Sequence, residues 1–384
     1  MSTETEAFFT DGINASTGAP LFARHTVSEL AAIAASLARS AGEVDDEGML
    51  LKGRVDQERA ACLGVAEAID RGDLAQTGWG VVFPAVRPGS KEARRQEAIR
   101  AALRPLIEHR KALATKNNER YYREFVGAEG YRPGETGRGF LERLKVDPGA
   151  AANPEYLPYY LLLVASPMEI SFTAQYQLDV TYAVGRIHFD AVEDYARYAR
   201  SVVEAEREGF ALPRTAAFFG VCNPDDVATR IARERLTEPL AEALSKNRRP
   251  PELAGWSLPR YFDENASRAS LETLFGGEAT PALLFTTSHG VGFDRGDVRQ
   301  LAQQGALLCS DWQNPWPFVP IDERHYFAGD HIASNAKLHG MIAFNFACYG
   351  GGTPLYDEYA LRDGKQQGER TKLPLKTEGL WVLE

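Results

Sequence analysis

From Trp79 onward, short apolar runs alternate with long amphipathic stretches, the pattern of a sheet whose strands are joined by crossover helices. Runs at Trp79–Phe83, Tyr159–Ala165, Thr215–Cys222, Ala282–Ser288, Ala306–Ser310 and Met341–Ala347 predict strands. A further strand is expected at Trp256–Tyr261, and a short hairpin or paired segment near Tyr176–Ile187. Helical spacing is expected from about Ser90 to Ala114 with a bend at Pro105, from Asp190 to about Glu208, and from Asn223-Pro224-Asp225 to about Leu244. Ser245–Glu252 is basic and proline-rich and reads as an exposed loop. No internal repeat is visible.

The pattern ahead of Trp79 is different. Residues 1–20 are small, polar and acidic, and predict a segment that lies over the surface or frays. From Thr26 to Arg39, Val27, Leu30, Ile33, Ala34 and Leu37 recur at helical spacing behind Ser28, a candidate N-cap. A second helix is expected from Asp56 to Arg71. The expected organisation is therefore an N-terminal helical extension over residues 1–74, packed on one α/β domain spanning 75–384.

Charge and cysteine content narrow the function classes. With 43 basic and 53 acidic residues the formal charge is −10, which opposes diffuse attraction to nucleic acid or to an anionic membrane surface. No stretch approaches 18 uninterrupted apolar residues, and the first residues lack the basic and apolar regions of a signal peptide, so a cytoplasmic location is expected. Four widely spaced cysteines assemble neither a disulfide framework nor a CxxC metal site. His325, His331 and His339 lack the i, i+4 spacing that puts two ligands on one helix face, and no metal or organic cofactor is expected.

Ligands of α/β sheets bind where strands end at their carboxyl edge, and two such ends carry reactive groups. The run from Pro281 delivers His289 and then Gly290, and the run from Met341 delivers Cys348, Tyr349 and three glycines. A thiol becomes a strong nucleophile once an imidazole takes its proton. The 59-residue separation leaves room for a strand, a helix and a second strand to set the two ends side by side. Backbone N–H groups of Gly290 and Cys348 would then form an oxyanion hole, worth roughly 3–4 kcal/mol per donor. Cys222 and Cys309 read as packing residues.

Ser288-His289-Gly290 after one strand and Ala347-Cys348-Tyr349-Gly350 after a later one resemble the His-Gly and Ala-Cys-x-Gly pair of the caspase-like cysteine peptidases. The resemblance is nearest to the bacterial branch with gingipain-like and CHAT-domain peptidases. Segments within Tyr159–Asp190 are also similar to strands and turns of gingipain-like relatives. It implies a three-layer α/β/α fold with a mainly parallel central sheet, and a cysteine endopeptidase acting through an acyl-enzyme. His289 would be the base, Cys348 the nucleophile and Gly290 an oxyanion donor. The implied partner is a protein or peptide substrate, in a restricted role on a dedicated protein. Phe346 and Tyr349 stand where caspases carry Gln and Arg or Gln, which argues against strict aspartate specificity.

Should the preferred side chain be Lys or Arg, an acid must line its pocket; Asp311 is the first choice, with Trp312 and Trp316 as walls. Asp330 and Asp357 are the other acids considered. Two alternatives use the same region. One is a catalytically inactive caspase-like scaffold or binding module. The other is a dinucleotide site in which Gly290, Gly292 and Gly296 open a helix and Asp311 follows about 20 residues on.

Overall fold

The computed structural model describes residues 7–8, 12–20, 25–26, 64–65, 69–209, 212–245, 251–294, 297–314, 318–352, 361–362 and 365–366. These divide between two compact units, one within Ala34–Arg207 and one combining Glu208–Thr353 with residues of Met1–Ile33. The boundary expected at 74/75 falls inside the former unit. Two-residue strands β1 (Ala7–Phe8) and β3 (His25–Thr26) pair antiparallel, and β2 (Ile13–Asn14) lies between them in sequence.

The unit within Ala34–Arg207 holds β4 (Trp79–Val82), β5 (Tyr122–Phe125), β6 (Tyr160–Val164) and β7 (Ala183–Ile187). They are parallel and ordered β5-β4-β6-β7. Alternate residues face opposite sides: Val81, Leu162 and Val164 pack with Leu103, Leu106, Tyr195 and Ala199, while Val82, Leu161 and Leu163 pack with Phe140 and Leu178. Helices thus cover both faces, which is why Leu161–Val164 is apolar without a break. Each such leucine contributes about 1.5–3 kcal/mol on burial.

The bend expected at Pro105 is a change of helix. Lys91–Ala102 ends at buried Leu103, and Arg104–Ala114 restarts with Pro105 in its first turn, where a missing N–H costs nothing. The paired segment expected near Tyr176–Ile187 is instead a helix, Phe172–Asp179, followed by β7. Ser171 caps that helix by accepting the Ala174 N–H at 3.1 Å, and Phe172, Ala174 and Leu178 form its buried face. β5 was not foreseen, because half of Tyr122-Arg-Glu-Phe125 is charged. It is an edge strand whose Glu124 accepts from Arg100 at 2.6 Å.

The second unit holds β8 (Ala216–Gly220), β9 (Arg260–Phe262), β10 (Leu283–Thr287), β11 (Gly290–Gly292), β12 (Ala306–Leu308), β13 (Tyr326–Phe327) and β14 (Ile342–Phe346). Its larger sheet, β14-β10-β8-β9, is again entirely parallel. Ala217, Phe219 and Leu284 pack against Leu271 and Leu274 on one face, and Ala216, Phe218 and Phe285 against Leu240, Ala241 and Leu244 on the other. The smaller sheet, β13-β12-β11-β2, is antiparallel except where β2 runs beside β11.

The α/β class, the parallel strands and their helical layers match expectation, but the described strands form two parallel four-stranded sheets, a mixed four-stranded one and two two-stranded pairs rather than one central sheet. The N-terminal residues are another correction. Ile13 and Ala15 are buried with Val291, Phe293 and Leu308, and the Ala15 N–H donates to the Gly292 carbonyl at 2.7 Å. The helix expected to reach Arg71 does not do so: Val65 bridges Ala152 in parallel pairing, and Asp70–Gly72 form a turn. The Val27–Arg39 stretch, residues 56–63 and residues 246–250 lie outside the described residues. Among those described, no helix is long and apolar enough to cross a membrane.

Candidate active site

Strands β10 and β14 are parallel neighbours with Thr287 opposite Phe346, and the Ser288 N–H donates to the Phe346 carbonyl at 3.1 Å. The next residues on each strand are His289 and, after Ala347, Cys348. The cysteine enters a tight turn closed by the Gly350 N–H on the Ala347 carbonyl at 3.2 Å. Tyr349, third in that turn, has φ +62°, the left-handed conformation a type II turn requires there. A non-glycine residue in that region is strained, and such strain concentrates at functional sites.

Gly290 brings the two strand ends into contact. A side-chain carbon on it would lie 1.8 Å from the Cys348 carbonyl oxygen, so no other residue fits beside this turn. The Leu308 N–H donates to the His289 carbonyl at 3.0 Å, which makes Gly290 and Leu307 a non-hydrogen-bonded pair. The Gly290 N–H therefore points away from β12, to the side on which β2 runs.

His289 is 6% exposed, and its Nε2 lies 2.6 Å from Asp226 Oδ2. Sequence reasoning missed Asp226. It follows β8, the strand on the far side of β10, and caps the helix Val227–Ala232 by accepting the Ala228 N–H at 3.1 Å. Thr229 Oγ1 donates to the same carboxylate at 2.8 Å and accepts the Asn223 N–H at 3.1 Å. Asn223 in turn donates to the carbonyls of Cys309 and Trp312 at 3.1 and 2.9 Å. Preceding Asp225 has φ +54°. The available signal was an N-cap aspartate, with a threonine three residues on, just past a buried strand.

Burial pushes the Asp226 carboxyl up, but the hydrogen bond and charge of His289, with the bonds from Thr229 and Ala228, hold it below its ordinary range. An ionised carboxylate only accepts, so Nε2 is the ring nitrogen that donates to Asp226. With Nε2 engaged by Asp226, Nδ1 is the ring nitrogen left to face another partner.

Two of the three residues expected to form a specificity pocket have structural contacts. Asp311 accepts the Arg268 N–H at 2.7 Å, at the start of the helix Arg268–Leu274. Trp312 is 3% exposed and packs among Ile321, Tyr326 and Phe293. Trp316 and Asp357 lie outside the described residues, and Asp330 accepts from Gln303. The dinucleotide alternative fails on geometry: Gly290 and Gly292 are the two ends of β11, Gly290 opposite Leu307 of β12 and Gly292 opposite Asn14 of β2, and they open no helix. Burial pushes the thiols of Cys309 and half-buried Cys222 up, the latter partly offset by Arg233, as suits packing residues. Among the described residues, no cluster of His, Cys, Asp and Glu has the form of a metal site. No protein-family model, curated protein or solved structure matches this chain.

Proposed function

We propose that the protein is a cysteine endopeptidase of caspase-like type, acting on a protein or peptide. One observation carries this reading: His289 and Cys348 end adjacent parallel strands, and a buried carboxylate, Asp226, holds the imidazole. His289 Nδ1 accepts the Cys348 thiol proton as the sulfur attacks the scissile carbonyl carbon. The N–H groups of Gly290 and Cys348 stabilise the oxyanion. Collapse expels the amine, which leaves with the proton held by His289. Water then attacks the thioester, gives its proton to Nδ1, and releases the carboxylic acid as the thiol is restored.

Asp226 stabilises the imidazolium formed midway and keeps Nε2 protonated throughout. The reaction needs no metal or organic cofactor. The resemblance to bacterial gingipain-like and CHAT-domain enzymes supports a restricted role on a dedicated partner protein in the cytoplasm, and the −10 charge disfavours nucleic acid and anionic membranes as partners. Peptidyl acyloxymethyl ketone labelling tests the reading. Selective modification of Cys348, lost in His289→Ala, is expected; labelling of Cys348 no faster than that of Cys222 and Cys309 would leave an inactive scaffold as the better description.

A further inference from the structure

The N-terminal strand lies against the cysteine. Gly12, immediately before β2, is buried, and a side-chain carbon on it would fall 2.3 Å from the Gly290 carbonyl oxygen and 3.2 Å from Cys348 Cβ. Main chain from distant parts of the sequence therefore meets at one point, Gly12 and Cys348 being 336 positions apart. β2 is anchored there on three counts. Val291 and Gly292 pair with Ile13 and Asn14, the Ala15 N–H reaches the Gly292 carbonyl at 2.7 Å, and Ile13 and Ala15 are in the core. Asn14 adds a side-chain tie, donating to Asp294 at 2.7 Å while its own oxygen accepts the Ser16 and Thr17 N–H groups at 2.8 and 3.1 Å.

We propose that β2 is a working part of the cysteine site, with Gly12 as a positioning residue that sets the Cys348 side chain against the Gly290 peptide. The proposal rests on the peptidase reading and extends it: the nucleophile and the oxyanion donor are held in register by a strand from the other end of the chain. Acyl transfer is sensitive to displacements of about 1 Å. A methyl group at residue 12 cannot be accommodated unless the Gly290 carbonyl or the Cys348 side chain retreats. Alkylation by a small reagent asks only for a thiolate and is far less demanding. Docking of the N-terminal strand would accordingly set the activity of the site without touching substrate.

The test compares two labelling rates at Cys348 in the full-length protein. Gly12→Ala is expected to slow peptidyl acyloxymethyl ketone labelling at least tenfold and to leave the iodoacetamide rate within about twofold. Gly18→Ala is the control for general damage to the segment, since a side-chain carbon there would clash with the Val319 carbonyl at 1.9 Å, outside the cysteine contacts. Asn14→Ala adds no atom near Cys348 and only loosens β2; about a threefold loss of peptidyl labelling is expected, which keeps the test decisive if Gly12→Ala does not fold. Wild-type peptidyl labelling with Gly12→Ala and Asn14→Ala at the same rate would overturn the role of β2 alone. Equal losses in Gly12→Ala and Gly18→Ala, tracking their melting temperatures, would do so too. No selective labelling of the wild type would remove the peptidase reading and this inference together.

Discussion

The two parallel sheets are built on the same plan. Each runs strand one in the interior, strand two outside it, and strands three and four on the other side: β5-β4-β6-β7 in one unit and β9-β8-β10-β14 in the other. The match extends to single hydrogen bonds. The Ala165 N–H reaches the Ile187 carbonyl at 3.2 Å just as Ser288 reaches Phe346 at 3.1 Å. Following that register, the places of His289 and Cys348 are taken by Ser166 and Phe189. Ser166 donates to Glu169, and Phe189 packs edge-on against Tyr195. Past β4, where the other unit has Asp226, buried Gln96 ties the Pro84 carbonyl to the Gly127 N–H. The shared topology brings three strand ends together in both units. The proposed chemistry depends on the few residues just beyond the ladders, and among the described residues these positions in the other unit carry none of them.

The sharpest way to break this contrast is to remove the reactive groups and their counterparts in parallel. Cys348→Ala and His289→Ala are expected to lower peptide hydrolysis at least 10³-fold, down to what binding and an oxyanion hole alone provide. Ser166→Ala and Phe189→Leu should stay within about twofold. A comparable loss from either of the latter would show that both sheets take part in the chemistry.

Asp226→Asn sharpens the comparison from within the site. The amide fits the space but no longer favours a proton on Nε2, and hydrolysis is expected to fall on the order of 10²-fold with little change in KM. The same carboxylate contributes pH-dependent stability. Its folded-state ionisation lies below the ordinary value, so its stabilising effect is complete above about pH 4 and is lost as the pH falls through the lower folded value. Urea midpoints measured from pH 6 downward should therefore decline more steeply in wild type than in Asp226→Asn. Parallel curves would mean that Asp226 is not ionised in the folded protein.

The other unit has a buried polar centre of a different kind. Arg186, 5% exposed, donates to Gln175 at 2.8 Å and to the Ala165 and Ser171 carbonyls at 3.1 and 3.3 Å, and burial lowers its guanidinium to about 10. Arg186→Leu strands these acceptors and should cost about 2–3 kcal/mol of stability, seen in the melting temperature, while Cys348 labelling below the melt is unchanged. The smallest effect belongs to Asp311→Ala. Losing one acceptor at a helix N-terminus costs about 0.5–1 kcal/mol, and profiling on peptide libraries should show no change in residue preference.

The sequence was most legible where one physical requirement dominated. Strands buried on both faces must be apolar throughout, so β4, β6, β8 and β10 stand out as runs; β14 is an apolar run as well, although Ile342, Phe344 and Phe346 are exposed along one of its faces. β5 escaped because Arg123 and Glu124, on opposite faces of this edge strand, are charged and break the apolar run. β2, at two residues, is shorter than any hydrophobic period, so Ile13 and Ala15 give no sign of their burial. The common plan of the two sheets was equally hidden, since strand order is a property of pairing and leaves no repeat in the side chains.

For the site, the order of residues by itself determined which chemistry was at hand: a thiol and an imidazole, each followed closely by glycine and each at the end of an apolar run. Reactivity and local backbone freedom belong to individual residues and their immediate neighbours, and can be read in one dimension. Only the tertiary structure decided that β10 and β14 are neighbours, that Asp226 rather than any acid nearer in sequence holds the imidazole, and that Gly12 closes on Cys348. Those are distances between segments far apart along the chain, and they exist only once the buried faces of both sheets have packed.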